Sequence, residues 1–216
     1  MAKRALGRRR LLSAGLSGVA LAAAPYPALA LVPTARQTAG PFYPKELPLD
    51  HDNDLTRVEG QPGPASGEPT QVFGRVLSES GKPLAGALVE IWQCNAFGTY
   101  HHPRDRGRLD PAFQGYGRTM ADDRGGYRFR TIRPVPYGGR APHIHFAVSG
   151  PGLGTLVTQM YVAGEPQNEG DFILRRIRDA EARDSVLVDL RRDASLEPAG
   201  WVGRFDLVLG RSLTDG

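Results

Sequence analysis

The sequence contains very little cysteine: Cys94 is the single one among 216 residues. One cysteine cannot form an intramolecular disulfide, so the disulfide-stapled folds that are common among exported proteins are excluded. We expect Cys94 to be buried and to pack as a small apolar residue.

Long apolar runs are also scarce. The run Leu11–Ala24 contains fourteen apolar or small residues, which is fewer than the roughly 20 that a membrane-spanning helix needs. The sequence therefore predicts no stable membrane anchor.

This run fits a signal peptide instead. A basic start that ends in Arg8-Arg9-Arg10 precedes it, and Ala28-Leu-Ala30 follows it as a small-residue cleavage site. The stretch Arg8–Leu12 also matches the twin-arginine pattern, although ordinary secretion signals share such a basic start. We expect residues 1–30 to direct export, by the twin-arginine route in the favoured interpretation, and the mature protein to be periplasmic.

The mature chain has no excess of basic residues. Five of the 27 lysines and arginines lie within residues 1–30, which leaves 22 basic against 23 acidic residues. Such a balance provides no general basic surface for phosphate backbones, so we expect no nucleic-acid partner. The length that remains suits one domain of ordinary size.

Short segments rich in branched and aromatic residues, often alternating apolar and polar, predict β-strands. They are Gln71–Leu77, Leu88–Trp92, Gly126–Ile132, His143–Val148, Thr155–Val162 and Gly203–Leu209. Only Phe172–Arg183 has helical character. The pattern predicts an all-β fold, an antiparallel β-sandwich over residues 70–216 with little helix. An irregular arm rich in Pro, Gly, Thr and Asp precedes it at residues 31–69.

Residues suited to metal binding are crowded between Tyr137 and His145, where two histidines, a tyrosine and Arg140 occupy nine positions. Residues two apart in a strand share a face, so His143 and His145 would lie about 7 Å apart on one side. They form a candidate pair of metal ligands. Arg140 is an odd number of residues from His143, so the backbone must bend at Gly138-Gly139 for it to reach the same site.

Several motifs include or accompany this pair: Val89–Tyr100, Phe113–Thr119, Thr131–Tyr137, Arg140–Phe146 and Thr158–Tyr161. Together they resemble the intradiol ring-cleavage dioxygenases, particularly the protocatechuate dioxygenase branch. The likeness extends to the arm, at Thr34–Pro44 and Asp52–Arg57. It implies one non-haem ferric ion, Fe(III), held at the four positions that match the ligands of the family: Tyr100, Tyr137, His143 and His145.

The resemblance also implies roles for residues around the ion. Tyr137 matches the ligand that leaves when substrate binds, and Arg140 matches an arginine that lines the substrate site and stabilises carbanion character on the ring. Gln159 matches a position beside the metal. The expected substrate contacts, besides Arg140, are Trp92 and the arm residues Gly40 and Pro41.

The implied reaction opens a catechol-type ring between its two hydroxylated carbons with O2 and gives a muconate-type dicarboxylic acid. Phenolate is a hard donor that a trivalent ion can keep ionised far below the usual tyrosine pKa of ~10. The expected partners are a catechol-type small molecule and O2, and the family suggests a homo-oligomer. The interval between Tyr137 and His143 lacks an insertion seen in familiar protocatechuate subunits, so the sequence leaves the identity of the catechol open.

Two other functions stay open on the sequence alone. An exported β-sandwich binding module would share the stretch Gly81–Ile91 and would hold no metal. A divalent-metal hydrolase would use the histidine pair, although no third histidine or carboxylate stands at a matching position. We expect His101 and His102 to lie in a solvated loop. We expect the other tyrosines near these motifs to take part in packing: Tyr43, Tyr116, Tyr127 and Tyr161.

Overall fold

A computed structural model describes residues 30–48, 50–150 and 152–210 of the chain. The signal peptide predicted at residues 1–30 lies outside this part, apart from Ala30. No helix within the described ranges is long and apolar enough to cross a membrane.

The regular structure in the described part of the chain is mostly strand, arranged in two sheets. In chain order they are β1 (Pro69–Ser78), β2 (Leu88–Trp92), β3 (Tyr116–Met120), β4 (Gly126–Ile132), β5 (His143–Gly150), β6 (Leu153–Val162), β7 (Leu187–Val188), β8 (Arg191–Asp193), β9 (Gly200–Arg204) and β10 (Leu207–Leu209). The helical segments are two 3₁₀ turns, Pro166–Glu169 and Leu174–Arg176, and one short α-helix, α1 (Ala180–Asp184). The prediction of an all-β sandwich with little helix is confirmed.

Strand β1 is central to the first sheet. It pairs antiparallel with β4 on one side and parallel with β9 and β10 on the other, and β8 extends the sheet beyond β9. The second sheet has the order β3-β2-β5-β6-β7, in which the β6-β7 pair is parallel and the others are antiparallel. Both sheets are therefore mixed, a feature that the alternation within single strands cannot reveal because it does not show which neighbour a strand pairs with.

The space between the sheets is filled according to the two-residue period of the strands. On β5, Ile144 and Phe146 point into this space, where the Phe146 ring packs against that of Phe129 on β4. The alternate residues of β5 point to the opposite, outer face of the second sheet. That face carries His143 and His145, so the fold sets the predicted ligand pair apart from the main hydrophobic core.

The N-terminal arm crosses from the first sheet to the second. The Thr34 amide donates to the carbonyl of Val208 on β10, and the Thr34 hydroxyl accepts from the Val208 amide. The Gln37 amide then donates to the carbonyl of Val157 on β6. Beyond this point the arm packs Phe42 against the outer face of the second sheet, and it thereby covers the face that carries the histidines.

Two predicted elements are interrupted. The strand predicted over Gly203–Leu209 divides into β9 and β10 because the Asp206 side chain accepts a backbone N–H of β1 in place of the ladder. The helix predicted over Phe172–Arg183 breaks at Ile177, which is extended, and α1 begins after the N-cap Asp179. The sequence does not predict β3, β7 or β8, and the last two are too short to show a period.

Replacing Phe146 by alanine tests the packing between the sheets. The side chain is fully buried and contacts the rings of Phe129 and Phe205, so Phe146→Ala is expected to lower the free energy of unfolding by about 3–5 kcal/mol. Urea unfolding would measure the change. The control Met120→Ala shortens a side chain that is 58% exposed and should change stability by less than about 0.5 kcal/mol. Equal losses of stability in the two variants would contradict the packing of Phe146 between the sheets.

Candidate metal centre

Strand β5 brings the two predicted histidine ligands together. His143 and His145 are 1% and 2% exposed, and their Nε2 atoms lie 3.3 Å apart. Two nitrogens that bind one metal ion at about 2.1 Å each are separated by roughly 3.0–3.4 Å when the bonds meet at about 90–109°. The two Nε2 atoms are therefore spaced to bind a single ion.

Hydrogen bonding and stacking orient these two rings. His143 Nδ1 lies 2.6 Å from the carbonyl oxygen of Ala141, which requires a proton on Nδ1 and leaves a lone pair on Nε2. The imidazole of His145 stacks on the indole of Trp92, with ring centroids 4.9 Å apart and an interplanar angle of 8°. Its Nδ1 is buried without a hydrogen-bond partner, so packing rather than a hydrogen bond sets its direction.

Two tyrosines from separate loops complete the cluster. The ring centroid of Tyr100 lies 5.0 Å from that of Tyr137 and 6.2 Å from that of His145. The centroids of Tyr137 and His143 are 5.4 Å apart. The Tyr100 hydroxyl is buried and has no hydrogen-bond partner. A buried hydroxyl without a partner is unfavourable, and a phenolate that binds a metal ion would resolve it.

The loop that carries Tyr137 bends as the odd spacing between Arg140 and His143 requires. The Arg140 amide donates to the Tyr137 carbonyl at 2.7 Å and closes a tight turn. Gly138 and Gly139 have φ angles of 51° and 77°, values that residues with a Cβ rarely adopt. The turn returns the arginine to the face of the sheet that carries the histidines.

A buried polar network holds Arg140, which is 6% exposed. Its Nε donates to Asp171 Oδ2 at 2.8 Å, and its Nη2 donates to Gln159 Oε1 at 2.6 Å and to the Tyr161 hydroxyl at 3.0 Å. Burial opposes the charge on Arg140, but the hydrogen bond and charge of Asp171 outweigh this effect and raise its pKa. A permanent positive charge therefore lies beside the cluster of tyrosines and histidines.

The N-terminal arm forms a roof over this cluster. The Phe42 ring stacks on that of Tyr100 with centroids 4.7 Å apart. A Cβ added to Gly40 would lie 3.4 Å from Cε1 of His145, so the backbone passes close over the imidazole. The Thr38 carbonyl accepts from Gln159 Nε2 at 3.0 Å. The arm thus shields the site from water.

Trp92 and Cys94 lie behind the site. Trp92 is 1% exposed and supports the His145 ring; its contact with a substrate stays a prediction from the sequence. Cys94 packs in the same apolar cluster and is 1% exposed, as expected, and burial raises the pKa of its thiol to about 12.

Burial determines the protonation of the candidate ligands in the metal-free protein. Burial, reinforced by Arg140, lowers the pKa of His143 to about 4. Burial, reinforced by His143, lowers the pKa of His145 well below its usual value. Burial also raises the pKa of Tyr100 well above 10 and raises that of Tyr137. The imidazoles are therefore neutral and able to bind a cation, whereas the phenols need a strongly charged cation to ionise.

The donor set restricts the kind of metal that fits. Within the ranges that the structure describes, no three His, Cys, Asp or Glu side chains are grouped to hold a metal ion. The phenols of Tyr100 and Tyr137 are the predicted further donors, since the hydroxyl of nearby Tyr161 already bonds to Arg140 and Gln159. Hard anionic phenolates combined with imidazoles suit a trivalent ion such as Fe(III).

Comparisons with known proteins agree with this geometry. The family model described as Dioxygenase matches residues 38–211. The chain is 42% identical over 201 residues to the protocatechuate 3,4-dioxygenase beta chain of Burkholderia cepacia, an alignment that covers 87% of this chain and 84% of that one. The chain belongs to the intradiol dioxygenase family.

Further similarities place this dioxygenase within the family. It is 35% identical to the catechol 1,2-dioxygenase of Candida albicans over 65% of its own length, and it spans only 50% of that relative. The dioxygenase domain of a dioxygenase carbohydrate-binding protein fusion from Streptomyces sp. SirexAA-E matches with a TM-score of 0.64 and 31% identity, over 84% of this chain and 100% of that domain. The higher identity to the protocatechuate relative agrees with the branch indicated by the motifs.

The structure gathers most of the site residues that the sequence predicts. Those in or against the cluster are Tyr100, Tyr137, His143, His145, Arg140, Gln159, Trp92 and Gly40. Pro41 is exposed beside Gly40. The sequence misses Phe42, Tyr161 and Asp171. Tyr161 and Phe42 fall within the quoted motifs, Thr158–Tyr161 and Thr34–Pro44, whereas Asp171 falls in none of them.

One prediction about side-chain roles needs correction. His101 is exposed, but His102 is 6% exposed and therefore not solvated. Its Nδ1 accepts from the Arg104 amide and its ring meets the edge of Phe42, a contact that depends on the distant arm. Tyr161 packs as expected, but its hydroxyl also takes part in the network around Arg140.

Tyr100→Phe tests whether the Tyr100 hydroxyl lowers the stability of metal-free protein while it contributes to metal binding. In metal-free protein the Tyr100 hydroxyl is buried and unpaired, so its removal should raise the free energy of unfolding by about 1 kcal/mol and should weaken metal binding. Urea unfolding of chelator-treated protein and metal titration would measure the two effects. The matched control Tyr161→Phe loses hydrogen bonds to Arg140 and Gln159 and should lower stability by about 1–3 kcal/mol. A similar loss in both variants would contradict the difference between the two hydroxyls.

The stability of metal-free protein should fall as the pH decreases from 6.5 towards 4. Burial lowers the pKa of His143 from 6.5 to about 4 and lowers that of His145 well below 6.5, so the unfolded chain binds more protons than the folded protein in this range. Stability is then complete above pH 6.5 and is lost below it. Urea unfolding at several pH values would measure the slope, which His143→Gln should make shallower. An unchanged slope in that variant would show that His143 does not cause this pH dependence.

Proposed function

We propose that this protein is a non-haem Fe(III) dioxygenase that opens a catechol-type ring between its two hydroxylated carbons, with O2, to give a muconate-type dicarboxylate. The convergence of Tyr100, Tyr137, His143 and His145 in one largely buried cluster carries the proposal, with the histidine Nε2 atoms 3.3 Å apart. Family membership supports it, because the relatives bear the names protocatechuate 3,4-dioxygenase and catechol 1,2-dioxygenase.

The four ligands would give the centre a suitable charge. Two phenolates compensate two of the three charges of Fe(III), and the neutral imidazoles leave the remaining positive charge to attract a catecholate. When bound, the ferric ion would supply a Lewis-acid centre that holds both catechol oxygens and makes the ring reactive towards O2.

Tyr137 is better placed than Tyr100 to leave the cluster and accept a proton. Tyr100 is 2% exposed beneath Phe42, whereas Tyr137 is only partly buried and begins a turn whose glycines are exposed. Outward rotation of its ring would move a side chain that is already partly exposed. As a phenolate, Tyr137 would act as the general base that takes a hydroxyl proton from the incoming catechol.

Arg140 would act on the substrate ring as charge develops. Its guanidinium lies close enough to the Tyr137 hydroxyl to favour the phenolate there, and Gln159 holds its Nη2. A fixed positive charge at this position stabilises the carbanion character of the opening ring. The arm backbone at Gly40 and Pro41 would border the bound ring.

We also infer an exported, self-associating protein. The basic start and the Ala28-Leu-Ala30 site in the leader support removal of residues 1–30 and export to the periplasm by the twin-arginine route, and the family supports a homo-oligomer. N-terminal sequencing of periplasmic protein should begin at Leu31, and sedimentation should give a multiple of the chain mass. Cytoplasmic protein that keeps Met1, or a strict monomer, would contradict the respective statement.

Oxygen uptake tests the proposed reaction. Fe(III)-loaded protein should be coloured by phenolate-to-iron absorption and should consume one O2 per catechol, with both atoms of ¹⁸O2 recovered in the dicarboxylate. A panel of protocatechuate, catechol, hydroxyquinol and chlorinated catechols would identify the substrate. A colourless, metal-free protein would favour a binding module, and stoichiometric zinc without oxygen uptake would favour a hydrolase; either result overturns the proposal.

Variants at two tyrosines sharpen this test. Tyr137→Phe should remove part of the visible absorption and slow catechol binding by about 10²-fold, because a proton acceptor is lost. In the control Tyr127→Phe the lost hydroxyl donates to the Phe205 carbonyl between the sheets, so colour and rate should persist. Equal effects of the two substitutions would rule out a special role for Tyr137.

A further inference from the structure

Asp171 is a carboxylate with no exposed surface, on the loop after β6. Its Oδ1 accepts from the amides of Ile173 and Leu174 at 3.0 and 2.9 Å. Its Oδ2 accepts from the Ala141 amide at 2.9 Å and from Arg140 Nε at 2.8 Å. These donors fix the orientation of the carboxylate and join the loop after β6 to the loop that leads into β5.

Asp171 balances the positive charge of Arg140 and sets the direction of its side chain. Its other acceptors, Gln159 Oε1 and the Tyr161 hydroxyl, are neutral, and both receive the same Nη2. Asp171 is its buried ion-pair partner and holds the Nε edge of the guanidinium. Hydrogen bonds at two different nitrogens of the planar guanidinium fix its plane, whereas a bond at only one nitrogen allows rotation.

Stability alone gives a weak reason for such a pair. A buried ion pair adds little net stability compared with apolar residues of similar volume, although removing one partner leaves an unpaired charge. The pair lies directly beside the tyrosine and histidine cluster, where the direction of a guanidinium affects a reacting ring. A fixed direction is therefore the more specific contribution of Asp171.

We propose that Asp171 is the positioning residue for Arg140, which it aims at the substrate ring without touching the substrate itself. This role rests on the proposed function of the site. The family relationships and the sequence motifs give no role to Asp171, and the assignment comes from its contacts in the folded chain.

Asp171→Asn is a nearly isosteric test. The asparagine oxygen can still accept from the Ile173 and Leu174 amides, while its NH2 group would face the N–H donors of Arg140 and Ala141. We expect kcat to fall about 10- to 100-fold, the range typical for loss of a residue that orients a functional group. KM should change less than about threefold, because the guanidinium acts mainly as charge develops on the ring. Iron content and phenolate-to-iron absorption should match the unaltered protein.

A second measurement follows the arginine directly and needs no activity. The Arg140 Nε–H, buried against Asp171 in the unaltered protein, should give a ¹H–¹⁵N signal that exchanges slowly with solvent; Arg140→Lys identifies this signal by its loss. In Asp171→Asn the exchange should accelerate by at least about 10-fold, since the acceptor is gone. Metal-free protein serves equally well for this measurement.

A matched control and a double variant separate positioning from folding. Asp179 is another aspartate that accepts from a backbone amide, that of Ala182 at the start of α1, but it is exposed. Asp179→Asn should leave both kcat and the Arg140 exchange rate unchanged. If Asp171 acts through Arg140, then Asp171→Asn should reduce kcat by less than about twofold further in an Arg140→Gln background.

The outcomes distinguish this inference from the proposed function. If the unaltered protein cleaves catechols and Asp171→Asn keeps full kcat or a protected Nε–H, the positioning role is wrong and the proposed function stands. Independent, multiplicative losses in the double variant would also overturn the role. If no catechol is cleaved but protection of the Arg140 Nε–H depends on Asp171, the proposed function is wrong, while the contact by which Asp171 orients Arg140 is confirmed.

Discussion

The alternation of side chains along β5 determines the face of the sheet on which the site lies. Ile144 and Phe146 are held between the sheets, so the intervening His143 and His145 must project from the outer face of the second sheet. A shift of register by one residue would bury the imidazoles in the core and expose Phe146. Cross-strand pairing then adds the neighbours, because Trp92 of β2 and Gln159 of β6 both stand opposite His145.

The buried polar groups of the site lower the stability of the folded, metal-free chain. The Tyr100 hydroxyl and His145 Nδ1 are buried without partners, and burial of the histidines lowers their pKa values. Such polar atoms weaken folding, so the stability must come from elsewhere, chiefly the apolar layer between the sheets. Local violations of packing rules are expected at a functional centre, and here they fall on residues that the family motifs also mark.

Features encoded locally could be predicted from the sequence, and features made by distant segments could not. The alternation in His143–Val148 gives the strand and its faces, and the paired glycines before Arg140 give the bend. The ligand roles of Tyr100 and Tyr137 came from the resemblance, since a tyrosine in a β-rich chain has no distinctive local signal. The grip of Asp171 on Arg140 spans 31 residues, and the arm reaches the site across more than 100 residues, so no period or spacing reveals them.

The strands and the N-terminal arm contribute to the site in different ways. Strand pairing positions the histidines, whereas the arm forms the roof through Phe42 and Gly40. The arm also bonds to the network around Arg140, since the Thr38 carbonyl accepts from Gln159. Changes in the arm can therefore alter the space and charge above the cluster while leaving β5 and its histidines intact. Variation in the arm is in this way compatible with relatives that are named for different catechols.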